Sequence, residues 1–293
     1  MSERVQISLL SIFVMLQVFV VVWQLKPCLK PLRISDITSS LRFSFPEIQL
    51  RRPAGKLTRH SIGGYEAVLQ QVEKQQAKMV SRYRHSWKER ERQRLVKEAR
   101  EFLLETISRQ IFPAWYGTAW AFSGQTDRPG QGAIACGIFV ATVLNHAGFA
   151  LDRVRLGIQP SRYIITNLTG QENLWRLSGR SLKQIQREIT RRGRNLYIVG
   201  LDKHTGFIFY DGRHQPVFIH ASGQKGLRQV VAEELTVSET LRRSRYFILG
   251  QMLTEKMMED WLTRRFIPIS SDYYCQARAL SRERAWRTGR RHG

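Results

Sequence analysis

Residues Asn195 to Gly223 read NLYIVGLDKHTGFIFYDGRHQPVFIHASG, and this stretch decides the fold. Its apolar and aromatic runs are separated by turn residues, which is the pattern of neighbouring strands in an antiparallel sheet. The runs predict three strands, at Leu196 to Leu201, His204 to Tyr210 and Val217 to His220.

The second and third of these strands each carry a histidine. A three-residue loop at Asp211 to Arg213 would close the hairpin with Tyr210 opposite His214. Counting outward from that pair places His204 directly opposite His220, with Cβ atoms about 4.5–5.5 Å apart. At that separation one imidazole can hydrogen-bond to the other and orient it, as the base of an activated nucleophile is oriented.

A lone cysteine precedes an apolar run in QGAIACGIFVATVLNHAGF, Gln131 to Phe149. The run predicts a helix from Cys136 to about Ala147, with Gly148 as its stop signal. Helical spacing points the thiol toward the packing face, which suits a core cysteine as well as a nucleophile. The N–H groups at a helix start lower a thiol pKa and can hold an oxyanion, so Cys136 is a candidate nucleophile.

These residues also have structural interpretations. A single histidine on a strand is often part of the core, His214 belongs to the predicted turn, and His146 lies off the cysteine stripe. A thiol and two imidazoles also suggest zinc, but the separations among Cys136, His204 and His220 match no recognisable zinc spacing. The sequence therefore predicts neither a metal nor a cofactor.

Three segments resemble the NlpC/P60 cysteine peptidases. ACGIFVATVLNHAGF resembles the DCSGFVxxVLxxxGI block of that family, and HTGFIFYDGRHQPVFIHAS resembles its HVGIYLGNGxFIHAS block. Upstream, PAWYGTAWAFSG is similar to the PYxWGG segment, whose aromatic residue lies near the thiol. The order Cys, His, His is the same, and the similarity covers roughly Phe112 to Gly223.

The resemblance implies a papain-like α+β fold, with the nucleophile on a helix packed against an antiparallel sheet. It makes Cys136 the nucleophile, His204 the base and His220 the residue that orients the base, and it places Tyr116 at the oxyanion site. The family's usual reaction is hydrolysis of peptide or amide bonds in bacterial cell-wall peptides. One departure is that alanine and glycine flank the thiol where the family has Asp and Ser.

The chain before this core has two kinds of segment. The stretch from Ile7 to Trp23 is apolar, which indicates an uncleaved signal anchor, with a cleaved signal or a buried helix as alternatives. Further on, RLVKEAREFLLETI has the apolar spacing of an amphipathic helix, and SRYRHSWKERERQR before it indicates a solvated face or a bend between two helices. We expect an anchor or signal (1–26), a linker (27–63), accessory helices (64–111), an NlpC/P60-like catalytic domain (112–270) and a basic tail (271–293).

The net charge of +23 and the sequence pI near 10.8 indicate anionic partners. Charge alone does not choose among lipid, cell-wall polymer and nucleic acid; a nucleic-acid partner is disfavoured by the absence of a zinc-finger or RNP motif and by the apolar N-terminal segment. We expect a thiol hydrolase that acts on a peptide or amide substrate, peptidoglycan among the candidates. The expected location is membrane-anchored or exported, with the catalytic domain on the non-cytoplasmic side. The alternative is a non-catalytic module on the same scaffold that holds an anionic polymer.

Overall fold

A computed structural model describes residues 62–269 of the chain. The predicted anchor or signal segment, most of the linker and the basic tail lie outside these residues, as do Cys28 and Cys275. Within residues 62–269, no helix combines the length and the apolar character needed to cross a bilayer.

Two long helices precede the sheet and meet at the charged stretch of the sequence, which is therefore a bend between helices. The amphipathic pattern is confirmed in the second helix, where Leu95, Ala99 and Leu103 are fully buried. That helix continues without a break through one π-helical turn into a short third helix. The bounds are α1 (Ile62–His85), α2 (Glu89–Thr106), the π-helical turn (Ile107–Ile111) and α3 (Phe112–Trp115).

The cysteine-bearing helix, α4, spans Cys136–His146, as the sequence pattern predicts. It ends where Gly148 adopts a φ of 89°, a backbone conformation that favours glycine. The helix is buried from Gly137 to Leu144. The ring of Phe139 lies 6.1 Å from that of Phe207, centroid to centroid, and this contact packs α4 against the sheet.

Five further helices surround the sheet. The first three of them make up much of the long insertion between the cysteine helix and His204. The third begins with a capping box between Ser181 and Gln184, in which each side chain accepts a hydrogen bond from the backbone of the other. The bounds are α5 (Arg153–Gly157), α6 (Ser161–Thr169), α7 (Leu182–Arg192), α8 (Glu239–Arg243) and α9 (Glu255–Leu262).

The described residues form an α+β fold around a six-stranded antiparallel sheet. A short parallel pair of strands, β1 (Ala119–Trp120) and β2 (Ala133–Ile134), stands beside it. The six strands are β3 (Leu174–Arg176), β4 (Asn195–Leu201), β5 (Thr205–Tyr210), β6 (Val217–Ala221), β7 (Val230–Glu234) and β8 (Phe247–Gln251). Their order across the sheet is β3-β8-β4-β5-β6-β7.

The two faces of the sheet carry separate apolar cores. Phe207 and Ile219 belong to the core that includes α4 and the accessory helices α1 and α2, so the accessory helices share one core with the cysteine helix. Ile208 and Phe218 belong to the core on the other face, beneath α7. This separation follows from the alternation of side chains along each strand.

The three predicted strands are confirmed to within one residue at each end, but the predicted hairpin register is wrong. Phe207 pairs with Ile219, which places His220 beside Gly206 rather than directly opposite His204. The cause is a longer loop, in which the carboxylate of Asp211 accepts hydrogen bonds from the next backbone N–H groups. A shift of two residues keeps every side chain on its predicted face.

Candidate active site

The Cys136 side chain lies at the first residue of α4 and is partly exposed. The preceding residue, Ala135, has an extended backbone and offers no side-chain cap, so no cap occupies the N–H groups of the first turn. Burial raises the pKa of the Cys136 thiol, while the backbone N–H groups of Thr205, Gly137 and Cys136 itself act in the opposite direction. The expectation of a lowered thiol pKa is wrong, because desolvation of the thiolate outweighs those N–H groups.

The thiol meets the sheet where two strands separate. The ladder between β5 and β6 starts at the pair Phe207 and Ile219, so Thr205 has no partner in β6. The His204 carbonyl accepts a hydrogen bond from the backbone N–H of Leu201 in β4. Successive residues of a strand direct their backbone N–H and C=O groups to opposite sides, so the N–H of Thr205 is directed away from β4. That N–H, which would otherwise extend the ladder to β6, faces the Cys136 sulfur instead.

The two predicted histidines are in direct contact. His204 Nε2 lies 2.7 Å from His220 Nδ1, and the rings are nearly perpendicular, with centroids 4.8 Å apart. His220 is fully buried and stacks on Phe218 at 4.1 Å, so it lies on the sheet face opposite to the body of α4. A diagonal contact therefore replaces the directly opposed pair that the sequence suggested.

The gap between β5 and β6 brings the thiol and this imidazole pair to the same point of the sheet. The sulfur faces the backbone of Thr205, the residue that follows His204. No hydrogen bond joins the sulfur to the His204 ring among the residues that the structure describes. The predicted nucleophile and base are thus neighbours along the end of β5, with their side chains not yet hydrogen-bonded to each other.

A carboxylate extends the contact on the far side of His220. Glu233 Oε2 lies 3.1 Å from His220 Nε2 and accepts a hydrogen bond of 2.7 Å from the hydroxyl of Ser238. Both of these polar residues are buried. Sequence analysis missed them, although Glu233 is a carboxylate within a largely apolar strand one strand beyond His220, which is a usable signal.

An ionised Glu233 would set which nitrogen of each ring carries a proton. A carboxylate only accepts, so His220 donates Nε2–H to Glu233 and its Nδ1 is left as an acceptor. His204 must then donate Nε2–H to that acceptor, which leaves His204 Nδ1 with a free lone pair. The chain from Glu233 therefore prepares His204 Nδ1 to accept a proton.

Both imidazoles are neutral at neutral pH. Burial, followed by the charge that His220 would carry, lowers the pKa of His204 well below its ordinary value. Burial also lowers the pKa of His220, and the neighbouring Glu233 counteracts this only in part. A raised thiol pKa next to a lowered imidazole pKa means that the resting site holds a neutral thiol and a neutral base.

The PAWYGTAWAFSG segment runs beside β2 and β7 and contributes Tyr116 and Trp120. Trp120 pairs with Ile134, two residues before the cysteine, and a Cβ on Gly223 would lie 2.7 Å from its ring. Tyr116 precedes Gly117, whose N–H bonds to the Val230 carbonyl of β7 at 2.9 Å. Burial raises the pKa of Tyr116, so its hydroxyl stays a hydrogen-bond donor. No hydrogen bond from Tyr116 to Cys136 is present in the described part of the chain.

The remaining described histidines lie elsewhere. His214 contacts Asp211 in the β5–β6 loop at 2.5 Å, as its predicted turn position implies. His146 closes α4 and lies 2.8 Å from the hydroxyl of Tyr65 in α1, and burial lowers the pKa of His146 to about 4. Residues 62–269 contain no group of three or more His, Cys, Asp or Glu side chains arranged to hold a metal ion.

No protein-family model, curated protein or solved structure matches this chain.

Exchange of Glu233 for glutamine tests the hydrogen-bond chain. Glutamine can donate as well as accept, so Glu233→Gln no longer dictates the proton position on His220. We expect the rate of any reaction that uses His204 as a base to fall by about 10- to 100-fold, the usual size of a lost hydrogen bond to a charged group. The matched control is Glu234→Gln, a partly exposed neighbour on the same strand, which should retain full activity. Equal effects of the two variants would contradict a specific role for Glu233.

Proposed function

We propose that this protein is a thiol hydrolase that cleaves a peptide or other amide bond through Cys136, His204 and His220. The observation that carries the proposal is the junction at the end of β5, where the thiol faces the Thr205 N–H beside a base that is oriented by His220 and Glu233. A nucleophile, a base and a group that orients the base are the parts of an activated thiol.

The neutral resting site favours general-base attack. As the Cys136 sulfur bonds to the substrate carbonyl carbon, its proton moves to His204 Nδ1. The imidazolium then gives that proton to the departing amine as the C–N bond breaks, which leaves a thioester on Cys136. Water attacks the thioester with the same imidazole as base, releases the carboxylic acid and restores the thiol.

The free N–H groups at the start of α4 are the candidate oxyanion donors. The N–H groups of Cys136 and Gly137 face the sulfur, so a carbonyl oxygen whose carbon is bonded to that sulfur lies within their reach. The Tyr116 hydroxyl is the second candidate donor, in agreement with the resemblance to NlpC/P60 peptidases. That resemblance also makes bacterial cell-wall peptides the substrate class to test first, on the non-cytoplasmic side of the membrane.

A thiol-directed activity probe, followed by a digest of muropeptides, tests the proposal. Wild-type protein is expected to carry the probe on Cys136 and to release new amine termini from the peptides, whereas Cys136→Ser should do neither. Mass spectrometry identifies both the labelled residue and the cleaved bond. Digestion that is equal for the two proteins would refute the assignment of Cys136.

The pH dependence follows from the direction of the imidazole shifts. His204 must be neutral to act as a base, and its lowered pKa keeps it neutral until the pH falls well below its ordinary value of about 6.5. We expect the acid limb of kcat/KM below pH 6.5, as one property of the coupled imidazole pair. Circular dichroism at each pH separates this limb from unfolding, and an acid limb above pH 6.5 with intact structure would contradict the neutral site.

A non-catalytic binding module is the second candidate. The raised thiol pKa and the missing hydrogen bond between the thiol and His204 favour it. In that case no muropeptide is cleaved, and binding of an anionic polymer weakens steeply as salt is added.

A further inference from the structure

The bend between α1 and α2 presents an exposed indole among cations. Trp87 is 82% exposed, and the ammonium of Lys88 lies 5.0 Å from its ring centroid. The bend is the charged stretch that the sequence singled out, and it takes no part in the proposed chemistry. Burial of this ring against a partner would be favourable, because it would remove apolar surface from contact with water.

Most charged side chains of the bend are cationic, and most of these cations form no ion pair among the described residues. Residues 82–94 contain six Lys or Arg and two Glu, a net charge of +4. Two of the cations serve the hairpin itself, since Arg82 pairs with Glu98 and the guanidinium of Arg92 lies 4.5 Å from the ring centroid of Tyr83. The other four are exposed and form no ion pair within residues 62–269: Arg84, Lys88, Arg90 and Arg94.

We propose that this bend docks on the surface of an anionic lipid bilayer, with Trp87 at the headgroup level. An indole is stable at the boundary between lipid and water, and each nearby Lys or Arg strengthens attraction to anionic headgroups by about fivefold in binding constant. One exposed ring at the bend between two helices fits a surface into which a single ring can insert. Single-stranded nucleic acid is instead held by successive stacking rings in a groove, and the bend offers one ring.

Unpaired cations beside the ring distinguish Trp87 from the two other exposed aromatic rings in the described part of the chain. Phe266 is 56% exposed and follows Arg264 and Arg265, but these two cations form ion pairs with Glu73 and Asp260. Phe122 is 88% exposed, but its neighbours Ala121 and Ser123 are uncharged. The proposal therefore concerns the combination of ring and cations at the bend. It does not depend on the hydrolytic function.

Quenching of tryptophan fluorescence by brominated lipid tests the proposal on the full chain. Vesicles of brominated phosphatidylglycerol are expected to quench part of the tryptophan emission of the wild type. Trp87→Phe should lack this quenched component, and Trp120→Phe should keep it; we call this component the Trp87 part. The difference in quenching between the two variants isolates the contribution of Trp87, because any binding through residues 7–23 is the same in both. The Trp87 part should fall at least about fivefold when brominated phosphatidylcholine replaces the anionic lipid.

Charge reversal supplies the second arm. Lys88→Glu with Arg90→Glu should reduce the Trp87 part at least about fivefold, whereas Arg176→Glu with Arg180→Glu, an equal change of charge at exposed residues elsewhere, should leave it intact. Equal quenching of wild type and Trp87→Phe would overturn the proposal. So would equal effects of the two charge reversals, or an oligonucleotide whose binding depends on Trp87 and excludes the vesicles.

Discussion

Cys136→Ala is expected to abolish hydrolysis, with kcat reduced at least about 10⁴-fold, because the proposed nucleophile is removed. The nearby hydroxyl of Thr205 is buried and donates its hydrogen bond to the Val199 carbonyl, so it is not placed to replace the thiol. The fold should survive, since the substitution removes one sulfur atom from a partly exposed first helical residue. Release of amines from a muropeptide digest measures the loss. Chemical denaturation followed by circular dichroism measures the free energy of unfolding.

Two controls make this result specific. His204→Ala should cause a loss that approaches that of Cys136→Ala, because residues that act as a unit are not additive. Cys275→Ala, which removes a thiol outside the described residues, should keep full activity. Persistent hydrolysis by Cys136→Ala would show that the reaction belongs to another group. Absence of hydrolysis in the wild type as well would favour the non-catalytic binding module.

Gly137→Ser is expected to destabilise the fold by about 1–3 kcal/mol, although it restores the residue that the NlpC/P60 pattern has after its cysteine. A Cβ at Gly137 would lie 2.1 Å from the carbonyl oxygen of Gly157 and 3.2 Å from Ile164 Cδ1. The first of these atoms is backbone, so α5 would have to move away from α4. The free energy of unfolding from urea denaturation measures the effect.

Ala135 is the other departure from the NlpC/P60 pattern, and a substitution there is a control that should raise the free energy of unfolding. Ala135 precedes α4 with an extended backbone and no side-chain cap. A serine there can accept a hydrogen bond from the first turn, so Ala135→Ser should stabilise the fold by about 1 kcal/mol. A stabilising Gly137→Ser, or a destabilising Ala135→Ser, would contradict the packing described for the start of α4.

The secondary structure around the site was predictable because its signals are local. The helix that begins at Cys136 and the three strands from Asn195 to Ala221 follow from apolar periodicity and turn residues. The hairpin register was not predictable in this way, because Asp211 widens the loop through hydrogen bonds to backbone N–H groups. The two histidines still share one face of the sheet, as predicted, since the error was an even number of residues. That this face is the one opposite to the body of α4 was not predicted.

The electrostatics of the site depend on tertiary structure, which sequence patterns do not report. The start of a helix predicts a lowered thiol pKa, but the depth of Cys136 against the sheet reverses the direction. Glu233 and Ser238 became part of the site only through the pairing of β6 with β7 and the loop that follows it. Gly137 likewise gains its meaning from a helix that contacts it from twenty residues further on.

The most direct test of the central claim is the rate at which a peptidyl acyloxymethyl ketone labels Cys136 at pH 7.5 in wild type and in His204→Ala. A thiol with a raised pKa is protonated at this pH, so fast labelling requires the base. We expect labelling at Cys136 to be at least about 100-fold slower in His204→Ala and unchanged in His214→Ala. Equal rates in wild type and His204→Ala would show that the imidazole does not act on the sulfur.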